Sequence, residues 1–227
     1  MIRNILFDLG NVLIDVNIHR TLAKIRPLML SLPPVEEKAV GNENSNTIIT
    51  AGDLMGAGES GFVAKYQVGE ISTDDFVDEI LSVCKSGTTR QEVLDAWMAM
   101  LVGIPEARKQ RLLELHQQGY KLYVLSNINE LHAEWTREQI KDIPFEQMFF
   151  SNEMHLAKPD PRCYELVIRE TGIKPEETLY VDDLPANIEA GREAGFQCFL
   201  NTKADEWAGC DLQNNALEMA KNCKITH

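Results

Sequence analysis

The feature that most limits how this chain can fold is a set of short apolar runs, each stopping at polar residues. Ile5-Leu6-Phe7 stops at Asp8, Lys121–Leu125 (KLYVL) at Ser126-Asn127, and Thr178–Val181 at Asp182-Asp183. Apolar runs of this length, without polar alternation, read as strands buried on both faces, and such strands belong to a parallel sheet covered by helices. Phe145–Phe150 and Phe196–Leu200 (FQCFL) extend the set. Helical periodicity fills Ala107–Gln118, Pro161–Thr171 and Pro185–Ala194, with Gly119 and Gly195 as stops. Strands alternating with helices from about residue 105 onward predict an α/β fold with a doubly wound parallel sheet.

The stretch from about residue 16 to residue 100 departs from this pattern, with helical periodicity and no buried strand. Ile18–Leu32 reads as a helix broken at Pro27 and ended by Pro33-Pro34, and Asp74–Cys84 and Glu92–Leu101 read as two more. Ser72 or Thr73 caps the first of these two. The glycine-rich GDLMGAGESG reads as a loop, and the stretch from Ala204 as a loose C-terminal helix. We expect a discontinuous core of residues 1–15 and 101–227 with an all-helical insert over 16–100.

Charge narrows the partners. With 22 basic and 35 acidic residues the formal charge is −13, which repels phosphodiester backbones and anionic lipid, so neither nucleic acid nor a membrane is an expected partner. No stretch approaches the roughly 20 apolar residues of a membrane helix. The N-terminus enters a strand too early for a signal peptide. Cys84, Cys163, Cys198, Cys210 and Cys223 are scattered, without a CxxC pair, which fits a reduced cytoplasmic setting.

In open parallel sheets ligands bind beyond the carboxyl ends of the strands, where Asp8, Ser126-Asn127 and Asp182-Asp183 fall. Three converging carboxylates call for a cation, and hard oxygen ligands favour Mg²⁺, which welcomes a phosphate oxygen. Lys158 adds positive charge. The Ser126 hydroxyl, the Asn127 amide and loop N–H groups are natural phosphate donors. A carboxylate nucleophile beside a metal and a lysine suits covalent phosphoryl transfer.

FDLGNVL at Phe7–Leu13, LSN at Leu125–Asn127, AKPDPRCY at Ala157–Tyr164 and YVDDLPANIEAG at Tyr180–Gly191 resemble, in order and placement, the four motifs of the haloacid dehalogenase-like hydrolases. The match covers roughly residues 1–15 and 100–203, and the helical insert resembles that family's first cap type. DLGNV together with YQVGEIS at Tyr66–Ser72 is similar to the family's α-D-glucose-1-phosphate phosphatases and to the phosphatase domain of soluble epoxide hydrolase. The resemblance implies a Rossmann-like sheet with its five strands in the order 3-2-1-4-5. It also implies a Mg²⁺-dependent phosphatase of a small phosphorylated metabolite, with a sugar phosphate as one candidate. Asp8 would be the nucleophile and a metal ligand, joined by the Gly10 carbonyl and Asp183, with Asp182 close by or acting through water. Gly10, Asn11, Ser126 and Asn127 would surround the phosphoryl group, and Lys158 would balance charge between it and Asp8.

One departure matters. The family's phosphatases mostly carry a second Asp two residues after the nucleophile, as general acid and base, where this chain has Gly10. A positioned proton donor is worth roughly 10²–10⁴-fold, so slow turnover or a restriction to good leaving groups is expected. A glycine after a strand can occupy φ > 0, where a side chain is costly. Asp15 and His19, near the crossing into the insert, could assist, but each reads first as a helix-start or surface residue. Two other classes stay open: a metal-independent 2-haloacid dehalogenase, which would lack the acidic pair, and a non-catalytic ligand-binding relative. His116, His132, His155 and His227 show no ligand spacing and read as structural. Trp97 and Trp135 read as core or hinge packing, and Trp207 receives no role.

Overall fold

The computed structural model describes residues 1–30, 61–203 and 205–209. A parallel sheet of five strands forms its centre: β1 (Asn4–Phe7), β4 (Lys121–Ser126), β5 (Phe145–Phe150), β6 (Thr178–Asp182) and β7 (Gln197–Leu200). Their spatial order is β5-β4-β1-β6-β7, which is the expected 3-2-1-4-5 counted over these five. β1 and β6 are buried along their whole length, as the apolar runs require of central parallel strands.

The period of two then divides the core between the two faces. Ile5, Phe7, Leu122, Val124 and Val181 pack on one side with Leu112 and Leu115 of α5 (Glu106–Gln117) and Ala133 and Ile140 of α6 (Glu130–Ile140). Leu6, Tyr123, Leu125 and Tyr180 pack on the other with α7 (Pro161–Thr171) and α8 (Pro185–Glu193). Both of those helices open with proline, which suits a first turn whose N–H has no partner. Cys84, Cys163 and Cys198 are buried thiols.

A two-stranded antiparallel ladder, β2 (Asp15–Val16) on β3 (Leu101–Gly103), brackets the insert. Between them lie α1 (Ile18–Ile25), a short 3₁₀ turn at Arg26–Leu28, α2 (Phe62–Gln67), α3 (Thr73–Ser82) and α4 (Arg90–Met98). Capping boxes begin α3 (Ser72 with Asp75) and α4 (Thr89 with Glu92), each satisfying two orphan backbone donors. The insert has its own apolar cluster, in which the Phe76 ring stacks on Tyr66 at 4.2 Å and meets Trp97 edge-on at 4.6 Å.

Three expectations need correcting or bounding. The helix read as Glu92–Leu101 ends at Met98, and Leu101 belongs to β3, because a pattern of apolar residues does not distinguish a helix end from a two-residue pairing. The α1 helix does stop before Pro27, whereas Pro33-Pro34 and most of the glycine-rich stretch lie outside the described residues. Trp207 is fully buried: its ring meets Phe7 at 4.8 Å and its Nε1 donates to Val12 O at 3.0 Å. The described part of the C-terminal segment is a 3₁₀ turn over Trp207–Gly209.

Candidate active site

Four loops leaving the carboxyl ends of β1, β4, β5 and β6 converge on one crevice. Asp8 follows β1 directly, and its N–H still bonds Val181 O at 2.9 Å, so the nucleophile candidate is held by the last rung of the sheet. Asp8 is 8% exposed. Lys158, 5% exposed, reaches in from the loop after β5, and its Nζ donates to Asp8 Oδ1 at 2.8 Å and to Asp182 Oδ2 at 2.6 Å.

Asn127 fixes that lysine. Its Oδ1 accepts from Lys158 N at 2.8 Å and its Nδ2 donates to Lys158 O at 2.8 Å, a two-point clamp on the backbone of one residue. The carboxamide expected to face a phosphate is therefore spent on positioning Lys158. Ser126, one residue earlier, is buried at the end of β4.

The two aspartates after β6 differ in kind. Asp182 is fully buried, and its Oδ2 accepts from Lys158, from Tyr180 OH at 2.5 Å and from Asn187 Nδ2 at 3.1 Å, while its Oδ1 accepts from Leu184 N at 2.8 Å. Asp183 is half-buried and accepts from Asn11 Nδ2 at 3.0 Å. Asn11 itself adopts φ 54°, and its carbonyl accepts from Asn201 Nδ2 at 3.0 Å. One oxygen from each of Asp8, Asp182 and Asp183 lies within 4.8 Å of the others.

Titration behaviour follows from this crowding. Burial raises the Asp8 carboxyl above its usual range, Lys158 pulls it back, and Asp182 adds to the rise. Burial opposes the charge on Lys158, yet Asp182 and Asp8 together hold it above an ordinary lysine. Asp183 is pushed up to about 6, first by burial and then by the neighbouring Asp8. One ammonium cannot neutralise these carboxylates, and a divalent cation with a preference for oxygen would. The residues present thus fit Mg²⁺ by the chemistry of their donors.

Gly10 sits beside the nucleophile with room to spare. Its φ is not positive, and a Cβ built there would lie 3.9 Å from Asp8 Oδ2 and 3.8 Å from Val16 Cγ2, ordinary contact distances. The strain foreseen for a side chain at this position is absent. Asp15 is occupied elsewhere, paired with the buried Arg108 at 2.8 Å, and His19 is exposed on α1.

Sequence reasoning missed Tyr180 and Asn187. Both were findable: residues 180 and 182 share a face of one strand, and Asn187 lies in the first turn of the helix after the acidic pair.

A family model described as haloacid dehalogenase-like hydrolase matches residues 2–195. The chain is 24% identical over 215 residues to a D-ribitol-5-phosphate phosphatase of Bacteroides thetaiotaomicron, covering 91% of this chain and 95% of that one. A crystal structure of a family enzyme from Bacteroides thetaiotaomicron, in complex with magnesium and inorganic phosphate, superposes with a TM-score of 0.74 at 28% identity, covering 91% of this chain and 96% of that one. A predicted family hydrolase from Porphyromonas gingivalis gives a TM-score of 0.70 at 26% identity, covering 91% and 94%.

Proposed function

The chain belongs to the haloacid dehalogenase-like hydrolases, and from that premise we propose that it is a Mg²⁺-dependent phosphatase acting on a small phosphorylated metabolite through an aspartyl-phosphate on Asp8. The observation that carries the reading is the buried Asp8–Lys158–Asp182 chain with the Asp183 carboxylate beside it.

Asp8 attacks phosphorus as a carboxylate, and the bond from phosphorus to the leaving oxygen breaks. Lys158 stays protonated and offsets charge between Asp8 and the phosphoryl oxygens. Asn127 keeps Lys158 in place through its backbone clamp. The Ser126 hydroxyl and the backbone N–H groups of Gly10 and Asn127 donate to the phosphoryl oxygens, whereas the Asn11 N–H, expected to do the same, is already bonded to Ile14 O at 2.8 Å. Water then cleaves the aspartyl-phosphate and regenerates Asp8. Mg²⁺ would be held by Asp8, the Gly10 carbonyl and Asp183, supplying charge neutralisation for the incoming phosphate. Asp182, with donors on both oxygens, serves as the group that positions Lys158. The insert over 16–100 acts as a cap on a core of residues 1–15 and 101–227.

A dehalogenase working without metal would leave the partly buried Asp183 carboxylate without a purpose. Magnitude also favours the phosphate reading, because two buried carboxylates beside one lysine are costly unless a cation joins them. The test is hydrolysis of para-nitrophenyl phosphate with Mg²⁺ and with excess chelator. Activity that vanishes in chelator and returns with Mg²⁺ is expected, and full activity in chelator overturns the reading. Asp183→Ala should abolish turnover under both conditions.

A further inference from the structure

Gln67 ends α2, and its side chain leaves the insert for the core. Its Nε2 donates to the Asn127 carbonyl at 3.4 Å, one residue beyond Ser126 and in the loop that clamps Lys158. The surrounding backbone is pinned on both sides. The buried Ser151 hydroxyl donates to Gln67 O at 2.6 Å, and Val68 O lies 2.9 Å from His155 Nδ1. Gly69 adopts φ +69° and approaches so closely that a Cβ would fall 2.2 Å from Asn152 O, a place open to glycine alone. Tyr66 OH accepts from Leu131 N at 3.3 Å and lies 2.9 Å from Thr73 Oγ1. Three consecutive residues, 66–68, therefore each bond the core segments that follow β4 and β5.

The Tyr66 hydroxyl and the Gln67 and Val68 carbonyls already hold this turn on the core, so its docking does not rest on the Gln67 carboxamide alone. It is half-buried, and its contact is longer than the usual 2.9–3.0 Å of an N–H···O bond. No donor among the described residues reaches its Oε1. A carboxamide with a loosely engaged donor and an acceptor that no described residue fills matches a hydroxyl, which both gives and takes a hydrogen bond. A phosphomonoester on Asp8 has Lys158, Asp182 and the strand ends closing the inner side of the crevice, and must project its alcohol outward. The Gln67 carboxamide sits at the carbonyl of Asn127, the residue whose N–H is assigned to the phosphoryl group, one position beyond Ser126.

We propose that Gln67 is a specificity-determining residue that hydrogen-bonds a hydroxyl of the leaving group, so the enzyme prefers sugar-like phosphates with a hydroxyl next to the phosphorylated carbon. The proposal rests on the phosphatase reading above. Wild type, Gln67→Ala and Gln67→Met are compared, with Mg²⁺, on an anomeric aldose phosphate, its analogue lacking the adjacent hydroxyl, and para-nitrophenyl phosphate. Methionine keeps the length of glutamine without its hydrogen bonds, so it separates a lost bond from lost packing. A neutral hydrogen bond predicts that both variants lose roughly threefold to tenfold in kcat/KM on the aldose phosphate relative to its loss on the other two. Equal loss on all three substrates would make Gln67 a docking residue only, and no loss on any would remove it from the site; either result overturns the proposal. Wild type without activity on para-nitrophenyl phosphate would instead bring down the phosphatase reading, and this inference with it.

Discussion

Gly10 is where a single residue constrains the chemistry most. The structure gives it an ordinary backbone and an open path from a Cβ toward Asp8, so nothing steric explains the glycine. Asp15, the next acid along the chain after Gly10, is tied to Arg108. With no proton donor at this position the leaving oxygen departs nearly as an anion. Across aryl, anomeric and primary alkyl phosphates, kcat/KM should then fall steeply with leaving-group basicity. Gly10→Asp should flatten that slope and raise the alkyl rate by roughly 10²-fold or more, the usual worth of a positioned acid. A flat series in the wild type would assign the proton to another group. The positions of Asp8 and Asp183 were legible in the sequence, because charged residues at strand ends have few structural reasons to be there, whereas Lys158 comes from a loop beyond the end of β5. The division of labour was not. Asn127 holding a lysine backbone, and Asp182 saturated by Tyr180 and Asn187, depend on distances that no spacing encodes.

Among the elements, the contact between α4 and α6 joins the insert to the core. Trp97 and His132 stack there with ring centroids 5.5 Å apart and planes 14° from parallel. Asn129 Nδ2 lies 3.1 Å from His132 Nδ1, which makes that nitrogen the acceptor of a neutral ring. Burial lowers the His132 pKa to about 4, the Trp97 carbonyl opposing in part, whereas the unfolded chain keeps the ordinary value. Between these two values the unfolded state binds the extra proton, so stability is lost as pH falls. From pH 7 to pH 5 the loss from this one residue is about 2 kcal/mol. Urea unfolding at the two pH values should show a drop in wild type that is smaller by about that amount in His132→Gln; equal drops would mean that His132 titrates normally in the fold. Spacing alone marks this histidine as structural, and the stacking partner that makes it pH-sensitive comes from a helix 35 positions away. Element types were likewise readable where the chain is strongly apolar. They failed at β2 and β3, whose pairing is too short to leave a periodic trace.

For the molecule as a whole, the order of strands was legible only through the family resemblance that the motifs carry, because runs ending in site residues do not say which strands are neighbours. The packing of the tail was not legible. Trp207 is distant in sequence from Phe7 and Val12, and its burial against them closes the sheet face beneath the nucleophile loop. Arg108, also buried, binds Asp15, Asp205 and the Leu13 carbonyl, tying that same loop, the crossing and the tail together. A chain with formal charge −13 must draw an anionic substrate to one local patch of opposite sign, and the described crevice supplies only Lys158 beside its carboxylates. No described helix is long and apolar enough to cross a membrane. The central claim is that Asp8 carries the phosphoryl group. The direct measurement is borohydride trapping of the full-length enzyme during turnover of para-nitrophenyl phosphate, followed by peptide mapping. Reduction of an acyl phosphate converts its aspartate to homoserine, and the account predicts that change at Asp8, only when both Mg²⁺ and substrate are present. Homoserine at another aspartate, or continued turnover with Asp8 never reduced, would contradict it.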